Sequence, residues 1–457
     1  MINSSRLIKN SISNIVNGFA TSLMSVAITP FLYEILTKDE FSIWSVTIQL
    51  GILINVAATS LQVSVGRFVS YRLNSLSKSV NSMFRFQQLA FCLILLSTLF
   101  ISLLSINYGW LIQNYQAITD TLPNASWSIS IVCFSYMLNI FGGYFTGVFI
   151  GKEKNEIPAL VNVVFKCILG VALVNVAHDG LLSMSLSFFI INIFSYLVLC
   201  YLSPSYIKFI FVRCAKRAIN SFPELNNEEW RYYYGVFVLN FSTFLVSGIG
   251  VLLISKYDYG NVANFSISIG IVNLIVGAFS TMLSPLIQPL TIFHLNNESR
   301  KIDEIYIKMT ALLSLIVLFL LFFSNYFSLI FFEFWIDKAS APLISEIFNV
   351  SLLVYLVRII GIPFGLVLLA KGLQNRLLYF PLLEGVINLV LGIILVNYLG
   401  WLGVVCAVGI SGVIILTMYV RLAKTLLSIN VSFVMGYILY SFFPLSILIA
   451  FLWKTYA

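Results

Sequence analysis

The sequence predicts an all-α polytopic membrane protein: two pseudo-symmetric six-helix bundles around a central cavity, plus an extra C-terminal helix. Three observations carry this. Of 457 residues, 60% are hydrophobic and only 10% charged, whereas soluble domains carry about 25% charge. Apolar runs of roughly 20 residues recur along the chain, each long enough to cross a ~30 Å hydrocarbon core as a helix; a barrel would show alternating segments of about ten. Six such runs precede a basic stretch, and six more follow it before a final one.

The runs fall at 12–36, 43–66, 88–107, 126–150, 157–177, 181–202, 233–255, 262–290, 308–332, 345–370, 379–397, 401–423 and 433–453. Between the sixth and seventh lie Lys208, Arg213, Lys216, Arg217 and Arg231, with Glu224, Glu228 and Glu229. The expected plan is therefore an N-terminal six-helix lobe at 1–207 and a basic cytoplasmic connector at 208–231. A C-terminal six-helix lobe at 232–424 and an additional membrane segment at 425–457 complete it. Pro444 sits mid-way in that last segment and leaves either a full crossing or a re-entrant fold open.

The loops alternate in charge. Of 26 Lys and Arg residues, twenty fall on one side of the expected membrane and four (Lys38, Lys256, Lys338, Lys454) on the other. The positive-inside rule then puts the N-terminus in the cytoplasm. The net charge of +8 is thus a topology signal. It does not point to nucleic acid, because the bases are spread over many loops with no folded domain to carry them. The first eleven residues are short and polar, so no cleavable signal peptide is expected.

The external loops are short; the longest, about Tyr108 to Ala125, holds one charge, Asp120. Neither face has a domain that would house a catalytic site. The cysteines are scattered without CxxC spacing, and His178 and His294 stand alone. No HExxH or GxxxxGK[ST] motif occurs. No metal, cofactor or enzymatic activity is expected.

An internal repeat appears at an offset of about 222 residues: Ile168-Leu-Gly-Val-Ala-Leu-Val-Asn175 resembles Val390-Leu-Gly-Ile-Ile-Leu-Val-Asn397, and each precedes a glycine-bearing turn. Similarly, Phe41 to Gly51 resembles Val262 to Gly270, and Asn17 falls opposite Asn240. An even number of spans per unit gives a parallel repeat, a plan that places a substrate site between the halves near the midplane.

These features resemble the multidrug/oligosaccharidyl-lipid/polysaccharide superfamily of MATE-like exporters. The stretch Ile28-Thr-Pro-Phe-Leu-Tyr-Glu-Ile-Leu-Thr-Lys-Asp-Glu-Phe-Ser-Ile-Trp44 is similar to the "P…LG…YGLW" opening of its polysaccharide and O-antigen flippases. Arg67 resembles the arginine that closes their second helix. Asn261 to Ile267, through Pro285 and Pro289, looks like their eighth. The chain departs from the family where Ala58-Thr-Ser-Leu61 replaces a common "D-L-G". The resemblance places helices one, two, seven and eight around the cavity. That singles out Asn17, Asn55, Asn240 and Asn273 as cavity amides and Pro30, Pro285 and Pro289 as kinks.

Two charges lie inside spans: Lys166, nine residues into the fifth, and Arg358, thirteen into the tenth. A charge at the bilayer centre costs at least about 2.5–3.5 kcal/mol, so it normally faces a wet cavity or a partner. Pro363, in Gly361-Ile-Pro-Phe-Gly365, should break the helix beside Arg358. One reading makes the pair a grip on an anionic diphosphate, since Arg suits phosphate bidentately and Lys acts as a point charge. The other pairs each cation with a buried group such as Asn162, Asn388 or Glu384. Single amides in spans also join helices to one another.

The leading expectation is a flippase of a bacterial inner membrane. It would carry an undecaprenyl-diphosphate-linked oligosaccharide, an O-antigen or capsule repeat unit, from the cytoplasmic to the periplasmic leaflet by alternating access. Its partners would be that lipid-linked oligosaccharide, membrane lipids and other polysaccharide-assembly proteins. A drug/cation antiporter of the same superfamily should need a mid-membrane carboxylate, and the deep charges here are positive. A polysaccharide polymerase or glycosyltransferase should show a large or acid-rich external loop.

Overall fold

A computed structural model describes residues 18, 23–24, 26–71, 76–203, 227–283, 286–371 and 374–426. Regular structure among them is helical throughout. In chain order the helices are α1 (Val26–Ile35), α2 (Lys38–Tyr71), α3 (Leu76–Ile106), α4 (Tyr115–Thr121), α5 (Ala125–Gly151), α6 (Glu156–Val176), α7 (Leu181–Leu202) and α8 (Asn227–Ser247). Then come α9 (Ile249–Tyr257), α10 (Val262–Leu283), α11 (Ile287–Leu295), α12 (Ser299–Trp335), α13 (Ala341–Ile359), α14 (Ile362–Ala370), α15 (Gln374–Leu399) and α16 (Trp401–Leu426). Among the described residues nine helices are long and apolar enough to cross a membrane, or ten with α8 and α9 taken as one span bent by 44°.

This differs from the thirteen even spans of the sequence reading in several places: the seventh is two helices, α8 and α9, and the run 262–290 holds α10 and the start of α11. The first span is described only in part, as α1. The tenth is two helices, α13 and α14, parted at Ile360 and Gly361. The thirteenth lies outside the described residues. Gly248 sits at the junction of α8 and α9, where an added Cβ would come within 2.6 Å of Gln49 Nε2 on α2.

The chain forms two compact units, Met1–Ser266 and Ile267–Ala457. The expected division was at 208–231, of which residues 208–226 lie outside the described set. In the first compact unit α8 and α9 bond to the preceding helices. Arg85 of α3 holds Glu229 of α8 bidentately, Nε to Oε2 at 2.9 Å and Nη2 to Oε1 at 2.8 Å. The Arg67 guanidinium lies 4.1 Å from the centroid of Tyr232. At the other end of α9, Ser255 Oγ donates to Leu111 O and Lys256 Nζ to Gly109 O.

The first unit is built on the close pairing of α2 and α5. Gly143, Gly147 and Gly151 recur every fourth residue and so share one face of α5. A Cβ on them would lie 2.6 Å from Ala58 O, 2.5 Å from Gln62 O and 2.8 Å from Gly66 O. Small residues at this spacing let membrane helices touch backbone to backbone, where lipid gives no hydrophobic drive. Helix α2 begins with a reciprocal cap: Thr37 N donates to Glu40 Oε2, and Glu40 N to Thr37 Oγ1, which satisfies two orphan donors of the first turn.

In the second unit α15 packs on α16, α13 on α12 and α16, and α11 on α14. Hydroxyls and amides stitch these helices: Ser328 and Ser345 lie 2.6 Å apart, and Asn349 Nδ2 donates to Ser328 Oγ. The two copies of the sequence repeat share a local form. Asn175 Nδ2 donates to Val171 O and Asn397 Nδ2 to Ile393 O, each one turn back along its own helix. Each is followed by a glycine at positive φ, Gly180 at 90° and Gly400 at 55°, a conformation glycine adopts without steric cost.

Candidate functional site

Four helices of the first unit, α2, α5, α6 and α7, enclose a cavity of about 630 Å³. Each contributes residues spaced three or four apart, so each shows one face to it. From α2 come Asn55, Thr59 and Gln62; from α5, Tyr136, Asn139, Gly143 and Thr146. Helix α6 gives Asn162, Phe165 and Lys166, and α7 gives Phe188, Asn192 and Ser195. The glycine-mediated contact of α5 with α2 sets one wall, since Gly143 and Ala58 both face the cavity.

Lys166 is the one charged residue of this lining. It is half-buried, and among the described residues it makes no ion pair. Its Nζ lies 5.7 Å from the centroid of Phe188, at the outer range of a cation–π contact. The Phe188 ring is itself fixed, with Trp44 at 5.9 Å and Tyr136 at 5.5 Å between centroids. Around the ammonium the lining is polar and uncharged. Asn139 Nδ2 donates to Asn55 Oδ1 at 2.7 Å, and Asn192 Nδ2 donates to Phe188 O at 2.8 Å. A lone cation among amides and aromatic rings, with no acid in the wall, can take an anion together with hydroxyl groups.

The second embedded cation is differently placed. Arg358, in the last turn of α13, donates from Nε to Glu384 Oε1 on α15 at 2.6 Å. Its side chain crosses Gly412 of α16, where an added Cβ would stand 3.0 Å from Arg358 Cγ. The guanidinium also lies 5.7 Å from the centroid of Tyr355. The helix breaks just beyond it, and Gly361 N donates to Arg358 O.

No protein-family model matches the sequence, and no curated protein does. Solved structures do match. The lipid II flippase MurJ in an inward closed conformation superposes with a TM-score of 0.69 at 15% identity, covering 96% of this chain and 92% of that one. An inward-facing multidrug resistance MATE family transporter of the MOP superfamily gives 0.64 at 14%, covering 91% and 95%. An outward-facing multidrug resistance MATE family transporter of the MOP superfamily gives 0.62 at 13%, covering 94% and 96%. This chain has their fold.

Within that fold the sequence-selected residues are scattered. Lys166 and Asn55 share the cavity of the first unit, with Asn162, Asn139, Asn192 and Gln62. Asn240 does not line it; its Nδ2 donates to Ser60 Oγ at 3.0 Å and serves to join α8 to α2. Arg358 takes the paired arrangement with Glu384, so the two cations are not both left open to an anion. Asn273 lies half-buried on α10. Asn17 and Pro285 fall outside the described residues. Pro30 lies within α1; Pro289 sits in the first turn of α11 and Pro363 in that of α14. There the missing N–H of proline costs nothing, because first-turn donors are orphans in any helix.

The sequence reading passed over the aromatic part of the site, Tyr136 and Phe188, and the glycine series of α5. Both carry a signal. Gly143, Gly147 and Gly151 form two consecutive GxxxG motifs, and the polar or aromatic lining recurs at helical spacing in four spans.

Proposed function

We propose that this chain is a flippase for an anionic, sugar-bearing lipid: an undecaprenyl-diphosphate-linked oligosaccharide, an O-antigen or capsule repeat unit. It carries this cargo from the cytoplasmic to the periplasmic leaflet of a bacterial inner membrane by alternating access, with its N-terminus in the cytoplasm. The observation that supports this best is Lys166, which among the described residues has no acidic partner, in an amide-lined cavity within the membrane-spanning helices. Holding that charge in the membrane is costly unless it meets an anion or water. Passing phosphates and sugars through lipid is prohibitive unless polar groups replace their hydration. The fold likeness to a lipid II flippase is consistent with this cargo.

The alternative is an organic-cation exporter, since multidrug resistance transporters share the fold. A cationic drug calls for a carboxylate, and the lining has none while bearing a positive charge. The test is reconstitution in vesicles with fluorescent undecaprenyl-diphosphate oligosaccharide, set beside efflux of an organic cation dye. Protein-dependent loss of the labelled lipid from one leaflet, without dye movement, is the expected result. Dye movement without lipid translocation would reverse the assignment.

A further inference from the structure

The cavity in the first unit permits a narrower statement about the cargo, one that rests on the flippase reading above. We propose that it binds one acidic sugar of the translocated oligosaccharide, a pyranose carrying a single carboxylate. Lys166 pairs with the carboxylate, and the surrounding amides take the ring hydroxyls.

Charge counting comes first. The lining supplies one cation and no acid, so one carboxylate neutralises it. A diphosphate brings two phosphoryl groups, and phosphate is best held by several donors or by the bidentate fork of Arg. Arg358, the other cation that the sequence places in an apolar run, is paired with Glu384. Lys166 alone matches a monoanion better.

The neutral lining matches the rest of a sugar. Asn139 donates to Asn55, which leaves an amide N–H on Asn55 and the carbonyl oxygen of Asn139 to face a ligand. A sugar hydroxyl donates and accepts at once, so it suits this pair. Tyr136 and Phe188, at 5.5 Å between ring centroids, give an apolar platform for the C–H face of a pyranose. The volume of about 630 Å³ lies within the range of small-molecule sites. The wall does not have to be assembled on binding, because α5 is locked on α2 by Gly143 and Gly147, and a preorganised site loses less entropy when it binds.

The experiment uses the full-length protein in lipid nanodiscs, titrated calorimetrically with methyl β-glucuronoside, methyl β-glucoside and inorganic pyrophosphate. The glucuronoside should bind about tenfold or more tightly than the glucoside, a factor that follows from adding one ion pair, and pyrophosphate should not displace it. Lys166→Gln should abolish the preference for the glucuronoside over the glucoside, while Lys166→Arg should keep it. In vesicles, Lys166→Gln should slow flipping of a uronate-bearing lipid-linked oligosaccharide about tenfold more than that of a neutral one. Displacement by pyrophosphate, equal affinity for the two glycosides, no glycoside binding at all, or an unchanged preference in Lys166→Gln would each overturn the inference. The flippase reading would survive those results if the wild-type protein still moves lipid-linked sugar. It would fall separately if no such lipid moves.

Discussion

Arg358 Nε and Glu384 Oε1 lie 2.6 Å apart, with side chains 23% and 10% exposed. The pair joins the last turn of α13 to α15 just before the helix breaks. Either partner alone would be a poorly solvated charge. Arg358→Ala and Glu384→Ala should therefore each destabilise the protein by about 3 kcal/mol, the lower end of the cost of leaving a buried charge unpaired. Replacing both, as Arg358→Met with Glu384→Leu, should recover most of it. Thermal unfolding of the four proteins in detergent measures the coupling. A double variant no better than the worse single one would mean that the arginine and the glutamate do not chiefly serve each other.

The backbone contact of α5 with α2 is expected to be intolerant. Gly147→Val would drive a branched side chain against Gln62 O, where even a Cβ stands only 2.5 Å away. The loss should reach about 3 kcal/mol or more, the upper end for overpacking, since the colliding atom is backbone and cannot rotate aside. Gly270→Ala is the control, because nothing lies within 4 Å of an added Cβ there. Membrane-inserted yield and unfolding midpoint should fall for the first and hold for the second.

Glu229 is fully buried, and Arg85 grips it through two hydrogen bonds. Glu229→Leu removes the acid and strands the guanidinium, which should cost about 3–5 kcal/mol. Because this pair ties α8 to α3, limited proteolysis should show earlier cleavage near residue 227 in the variant. An unchanged digestion pattern would show that α8 is held by its other contacts, Asn240 to Ser60 and Tyr232 to Arg67 among them.

Tyr108, in the loop after α3, gives a prediction for alkaline pH. Burial pushes its phenol up to about 12, although the Ser130 hydroxyl bonded to it at 2.8 Å pulls the other way. In the unfolded chain the phenol titrates near 10. The folded state thus holds this proton more tightly. The resulting stability is complete below about pH 10 and is lost as pH rises towards about 12. Unfolding midpoints measured from pH 8 to 12 should fall less steeply for Tyr108→Phe than for wild type. Parallel curves would place the phenol in contact with water.

Much of the architecture was legible because lipid imposes it. A helix that satisfies its own backbone is the cheapest way across hydrocarbon, so the apolar runs at 126–150 and 181–202 coincide with α5 and α7 to within a residue or two. Where backbone chemistry intervened, at Gly248 and at Ile360–Gly361, one hydropathy run became two helices. Gly361-Ile-Pro announced the second break. Nothing in hydropathy announced the first: Gly248 stands against Phe244 one turn back and against Gln49, some two hundred positions earlier in the chain.

By itself, the sequence determined that this chain crosses a membrane many times, that Lys166 and Arg358 fall within apolar runs, and that a helix-and-turn unit recurs. Composition and hydropathy are local quantities, and the bilayer converts them directly into helices. Which cation would find an acid was decided only by tertiary packing. Glu384 lies 26 positions from Arg358 and reaches it because α13 and α15 are neighbours. Lys166 stands among amides because the faces of four helices converge, and no single stretch of sequence encodes that convergence.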